Sequence, residues 1–356
     1  MQTKKIERLS NLELYRILVM LLIVAHHYVV NSGLIQEMQS SALTSNSLFL
    51  YLYGMWGKTG INCFVLITGY FMCKSNISYG KFFKLLFEII FYKVTIFIIF
   101  VITGIIPFSF IGMVKAFIPL SNIGDGFTTG FILFYLFIPF LNMFINNVNK
   151  KMHKRLILLC LFIYVLWYML PGFNVTYNYI SWFIVLYFIS SYIRYYQFVR
   201  IAPKYWGWIT LILVCMSSFS VVLLILMDYN YPYRFVSDSN AIFALLTAIA
   251  SFMWFKDLKI RQSRLINTIA ASSFGVLLIH ANSDAMRQWL WKDTLSNTSY
   301  LNTSYCILHA IASVLIVYLI CICIDYMRIK YIEQPFFKSD LYNKIENKVR
   351  GLMDVF

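Results

Sequence analysis

The stretch from Leu12 to Asn31 reads L-E-L-Y-R-I-L-V-M-L-L-I-V-A-H-H-Y-V-V-N, long and apolar enough to cross a bilayer as a helix. It nonetheless carries Arg16, His26 and His27. An ionisable group in hydrocarbon is costly, so it sits there with a partner, a water-filled cavity or a task. At about 100° per helical residue, Arg16 and His27 lie within about 20° of each other in azimuth and roughly 16 Å apart along the axis. They share one face, and His26 points about 80° away. Just ahead, Ser10-Asn11-Leu12-Glu13 has the spacing of a capping box, with Ser10 as N-cap and Glu13 reaching back.

Similar apolar runs fill the chain. Charged residues are 13% of the total and hydrophobic ones 60%, where a soluble domain averages about 25% charged. The mean hydropathy is +0.70. The polar surface of a soluble protein is missing, so the fold class expected is all-α: a polytopic membrane protein of about ten transmembrane helices. The runs cover about 12–33, 48–72, 82–106, 130–145, 156–170, 179–198, 205–227, 240–255, 265–282 and 304–324. No repeat or linker divides them, and one membrane-embedded domain over 1–356 is expected, ending in a cytoplasmic tail at 325–356. The first run lacks a small-residue cleavage site and reads as a retained span. Between 108 and 129, Gly112, Pro119, Gly124 and Gly126 break a mildly apolar stretch, which reads as re-entrant or interfacial. Pro139 should kink the fourth span, and Pro171-Gly172 opens an external loop.

The net charge of +15 is not the footprint of a nucleic-acid binder. Of the 30 Lys and Arg residues, 23 fall at the termini and on alternate connections, including Lys4, Lys5, Arg8, Arg200 and Lys150 to Arg155. Only Lys115, Arg234, Arg287 and Lys292 lie on the other connections, and Arg16, Lys58 and Lys93 lie within spans. That is the positive-inside pattern, with both termini cytoplasmic. The seven cysteines lack metal-ligand spacing; they read as small buried hydrophobes, and no metal is expected.

The intramembrane polar residues are the candidates for chemistry. His27 is the candidate general base, because a neutral imidazole can take a proton from a hydroxyl near pH 7. A guanidinium one helix length nearer the cytoplasm suits a phosphate or carboxylate. Lys58 and Asn62 are i and i+4 and share a face; with Asn31 they are candidates on the substrate side. Glu88 lies one turn beyond Lys84 and is expected to pair with it. His280 and His309 lie near the outer ends of spans nine and ten, and His309 reads as a satisfied structural residue.

These residues fall into a familiar order. Arg16, ten residues and then His27 resemble the R-x10-H signature of the integral-membrane acyltransferase 3 family, the bacterial O-acyltransferases of surface polysaccharides. Gly60 to Phe71, G-I-N-C-F-V-L-I-T-G-Y-F, is similar to that family's second-helix motif, and Lys81-Phe82-Phe83-Lys84 stands in the place of its R-x-x-R. Phe134 to Asn142, Tyr187 to Arg194, Ser273 to His280 and Ile332 to Pro335 resemble its later motifs. The resemblance implies ten helices in a bacterial plasma membrane. It further implies acetyl-CoA taken from the cytoplasm and an acetyl group delivered to a hydroxyl of a surface polysaccharide or lipid-linked glycan. On that reading His27 activates the acceptor hydroxyl or takes part in acyl transfer, Arg16 positions the donor or the histidine's surroundings, and His280 is a second catalytic candidate. Lys81 and Lys84 would meet the CoA phosphates, as point charges in place of bidentate arginines. With about 32 residues after span ten, transfer is expected to finish within the membrane domain or on a separate partner. A glycan-precursor transporter or flippase is the alternative; no inverted repeat or pair of broken helices favours it.

Overall fold

The computed structural model describes residues 8–75, 78–120, 126–170, 173, 175–197, 201–344 and 346. The expectations for Lys4, Lys5, Gly124, Pro171-Gly172 and Arg200 lie outside them. Among the described residues the chain is all helix, with no strand. Its helices in order are α1 Ser10–Val30, α2 Leu34–Ser40, α3 Ser45–Gly54, α4 Gly57–Met72, α5 Tyr79–Ile102, α6 Phe110–Phe117 and α7 Phe127–Asn147. They continue as α8 Lys150–Met169, α9 Tyr179–Tyr196, α10 Pro203–Leu226, α11 Ile242–Lys256, α12 Arg264–His280, α13 Asp284–Tyr300 and α14 Cys306–Phe337.

Each of the ten apolar runs falls on one helix or on a broken pair. Six helices (α1, α5, α7, α8, α10 and α14) are long and apolar enough to cross a membrane alone. The pair α12 and α13, bent by 94°, makes a seventh if taken as one span. Of the others, 15-residue α11 falls short for a geometric reason, since it rises only about 22 Å against about 30 Å of hydrocarbon.

α1 is the central helix. It packs on α3, α4, α11, α12 and α14, and α4 in turn packs on α9 and α11. Lipid tails are as apolar as these side chains, so the hydrophobic effect does not hold such helices together; close packing and hydrogen bonds do. Small residues make the contact. A Cβ on Gly54 would lie 2.6 Å from Val29, one on Gly60 would lie 2.7 Å from Ile23, and one on Gly57 would overlap the His26 ring. The second span therefore breaks at Met55-Trp56, where His26 Nδ1 donates to the Gly54 carbonyl (2.6 Å). Gly57→Ala is expected to cost about 1–3 kcal/mol through overpacking and to displace His26; a thermal midpoint unchanged in detergent would contradict this contact. Gly69 meets Ser190 and Tyr187 in the same way, the close approach expected of Ser190-Ser191. The outer faces of α5, α8 and α10 carry exposed Ile98, Ile99, Leu158, Ile212 and Phe219, as a lipid-facing surface should.

Several expectations need correction. Ser10 is the first residue of α1 and not its cap: its Oγ donates toward Gln262 and Asn267 and accepts the Ser263 N–H. Glu13 instead pairs with Arg16 at 2.8 Å. Lys84 reaches Glu333 (2.5 Å), not Glu88, which pairs with Arg328 (3.1 Å). α6 is a short helix with Phe110, Ile111 and Phe117 exposed, consistent with an interfacial segment. No separate tail helix starts at Asp325: α14 continues through a π-turn at Ile329–Glu333, with Asp325, Arg328 and Glu333 all buried. Between the ninth and tenth runs, where the sequence showed no apolar run, the chain is helical: α13 folds back with Trp291 fully buried.

Candidate active site

The C-terminal half of α1 forms one wall of a cavity of about 430 Å³. His26, His27 and Asn31 contribute from α1, Gly57 and Lys58 from α4, and Lys93 from α5. Thr128 and Thr129 of α7, Tyr179 of α9, Asn282 beyond α12 and Arg287 of α13 complete its polar lining. The 94° bend between α12 and α13 is what brings Asn282 and Arg287 over the mouth of the bundle.

His27 has a defined partner. Its Nδ1 lies 2.9 Å from Nε2 of His280, whose own Nδ1 lies 2.6 Å from the Val276 carbonyl oxygen. A carbonyl oxygen only accepts, so the proton on His280 is on Nδ1 and its Nε2 is an acceptor. His27 must then donate from Nδ1, which leaves the lone pair of the neutral ring on Nε2. No described residue bonds that nitrogen. His280 is fully buried and does not line the cavity, whereas His27 is half-buried and does. The nitrogen left over is thus the one on the cavity side. It is placed to accept a proton, with a second imidazole behind it that fixes the tautomer and supports the imidazolium once formed.

The remaining candidates separate into two groups. Asn31 and Lys58 lie on the cavity wall beside His27, with Lys58 Nζ 2.8 Å from the Tyr179 hydroxyl. Asn62 does not: fully buried, it donates to the Ser239 carbonyl (2.7 Å) and accepts from Trp182 Nε1 (2.8 Å), so it ties α4 to its neighbours. The i, i+4 face of Lys58 and Asn62 is split by α9, which covers one member. Arg16 is half-buried against Glu13 and is not part of the cavity. Lys81 and Lys84 are exposed on the first turns of α5, three turns from Lys93. His280 stands behind His27, outside the cavity lining. His26, whose azimuth points it away from the Arg16 face, lines the cavity too, because the cavity wraps around α1 toward the α3–α4 break. His309 is satisfied by Tyr28 (2.8 Å) and stacks on Tyr300.

Two charged cavity residues, Lys93 and Arg287, were not among the site candidates drawn from the sequence. Lys93 was visible as a cation in the apolar middle of α5, well beyond the exposed Lys81 and Lys84, a signal that merited more weight. Arg287 had no such signal, since only the fold-back of α13 brings it in. Among the described residues all seven cysteines are free thiols, and no group of His, Cys, Asp and Glu could hold a metal ion.

Comparison with curated proteins and with solved structures finds no match. The family pattern described as "Acyltransferase domain" matches residues 9–325, which takes in both cavity histidines, the bend after His280 and every motif named above except the last, Ile332 to Pro335. This helical membrane protein belongs to the integral-membrane acyltransferase 3 family.

Proposed function

We propose that this acyltransferase moves an acetyl group from acetyl-CoA to a hydroxyl of a cell-surface polysaccharide, or of its lipid-linked precursor, in the bacterial plasma membrane. The observation that carries the chemistry is the His27–His280 pair with one unbonded ring nitrogen at a polar cavity. As the acceptor oxygen attacks the thioester carbonyl, its proton passes to His27 Nε2 and a C–O bond forms. The C–S bond then breaks, and the CoA sulfur takes the proton from the imidazolium. The ester and free CoA account for every atom, and His27 returns to its starting tautomer.

The finer topology belongs to the same reading: ten crossings with both termini cytoplasmic, supported by the 23-to-4 distribution of basic residues. The donor phosphates would then meet Lys81, Lys84 and the Arg16 end of α1. Arg16 to His27 and Lys81 to Lys93 each span roughly 16–18 Å of helix, so the acyl arm runs from the inner ends of α1 and α5 to the cavity.

Membranes containing the protein should transfer label from acetyl-labelled acetyl-CoA to glycan; movement of unmodified glycan with no donor dependence would contradict the reading and favour a flippase. Replacing Lys81 and Lys84 together with Ala should raise the acetyl-CoA concentration needed about tenfold and leave the acceptor requirement unchanged. A change in the acceptor requirement alone would overturn this placement of the donor.

A further inference from the structure

Lys58, Lys93 and Arg287 come from three different helices and line one cavity, and among the described residues no Asp or Glu lines that cavity. Two of the three have a place but not a compensating charge. Lys58 is bonded to the neutral Tyr179 hydroxyl, and no described carboxylate pairs with Lys93. Arg287 pairs with Asp284 at 2.7 Å, but the Asp284 side chain is 97% exposed, and such a pair is well screened. Like charges gathered inside a membrane domain repel and lose hydration, a cost that persists only where something offsets it. An anion among them would be held by charge-assisted hydrogen bonds in a region of low dielectric.

We propose that this cavity is a subsite for a negatively charged acceptor, a glycan unit bearing a carboxylate or phosphate beside the hydroxyl that is acylated. The assignment rests on the acyl-transfer reading of His27. The volume of about 430 Å³ suits a monosaccharide-sized group. The donor is the other possible source of an anion, and geometry disfavours it. The three cations share one small cavity with His27, whereas the pantetheine arm keeps the phosphates of CoA far from its thioester. The exposed cations Lys81 and Lys84 stand at the opposite end of α5, where that arm would place them. Lys58, Lys93 and Arg287 thereby select the acceptor and hold its hydroxyl at His27 Nε2.

The test uses the full chain in detergent, first without CoA and then with CoA titrated to saturation. Binding of glucuronate, glucose 1-phosphate and neutral methyl glucoside is read from the thermal midpoint. The two anions should bind more tightly than methyl glucoside and weaken with added salt. Lys93→Gln should raise their apparent dissociation constants about tenfold, while Lys93→Arg should retain binding. If neither anion binds more tightly than methyl glucoside, the subsite does not exist. If CoA displaces the anions and Lys93→Gln weakens CoA by a similar factor, the cations serve the donor and the proposal is overturned. No acyl transfer enters this readout, so a chain that binds the anions but moves no acetyl label would refute the function and leave the subsite standing.

Discussion

His27→Ala is expected to lower acetyl transfer by about a thousandfold or more while the protein still inserts and folds. General base catalysis alone contributes about 10²–10⁴-fold, and the substitution removes both the base and the group that returns the proton to the leaving sulfur. His280→Leu should be severe as well, about a hundredfold, because Val276–His280–His27 is a chain of hydrogen bonds in which the middle ring decides which nitrogen of His27 is free. A misplaced tautomer can cripple an otherwise intact histidine. His26→Ala should be milder than either. Its Nδ1 is held by Gly54 and its ring fills the space at Gly57, but no second imidazole stands behind it to support a proton. Transfer rates in membranes carrying equal amounts of each variant check this order; His26→Ala as damaging as His27→Ala would reverse the assignment of the base.

Arg328→Leu is expected to be the most destabilising single change, by about 3–5 kcal/mol. Its guanidinium is 2% exposed and serves three carboxylates: Asp325 at 2.8 Å, Glu333 at 2.6 Å and Glu88 at 3.1 Å. Tyr92 donates to Asp325 (2.7 Å), Gly275 lies directly against the same carboxylate, and Lys84 closes on Glu333. Removing the arginine leaves three acidic groups in a buried site with one partly exposed lysine near them, and an uncompensated buried charge is the expensive case. Arg328→Lys keeps the charge but cannot fork to three partners, so it should fall between. Lys84→Ala should cost far less, since that side chain is 55% exposed. Thermal midpoints in one detergent check the series; an Arg328→Leu midpoint equal to wild type would mean the cluster does not hold α5 to α14.

The helical class and the positions of the apolar helices were legible from local apolar length, and His27 stood out as an ionisable residue inside an apolar run that lines the cavity. The sequence also pointed to Lys58 and Asn31, which line the cavity, but their spacing could not show that α9 buries Asn62 under Trp182. Azimuth on an isolated helix put Arg16 and His27 on one face without showing that Arg16 turns back to Glu13, or that the cavity curves round to reach His26. The ion pairs of Lys84 and Glu88 were misassigned for a related reason. Neighbours at i and i+4 compete with residues more than two hundred positions away, and only packing decides between them. The same packing gives the closing Glu333 of the sequence pattern its role, as a tie between α14 and both Arg328 and Lys84. The placement of Arg287 depends on the bend after α12 and that of His280 on the packing of α12 against α1, neither of which a local signal marks.

The central claim is that His27 drives transfer of an acetyl group to a surface glycan, and mass spectrometry of that glycan tests it most directly. Cells expressing the wild-type chain should carry acetyl esters on their surface glycan that are absent without it, and cells expressing His27→Ala at equal level in the membrane should match the cells without it. Acetylation of the glycan at wild-type level in the His27→Ala cells would contradict the account.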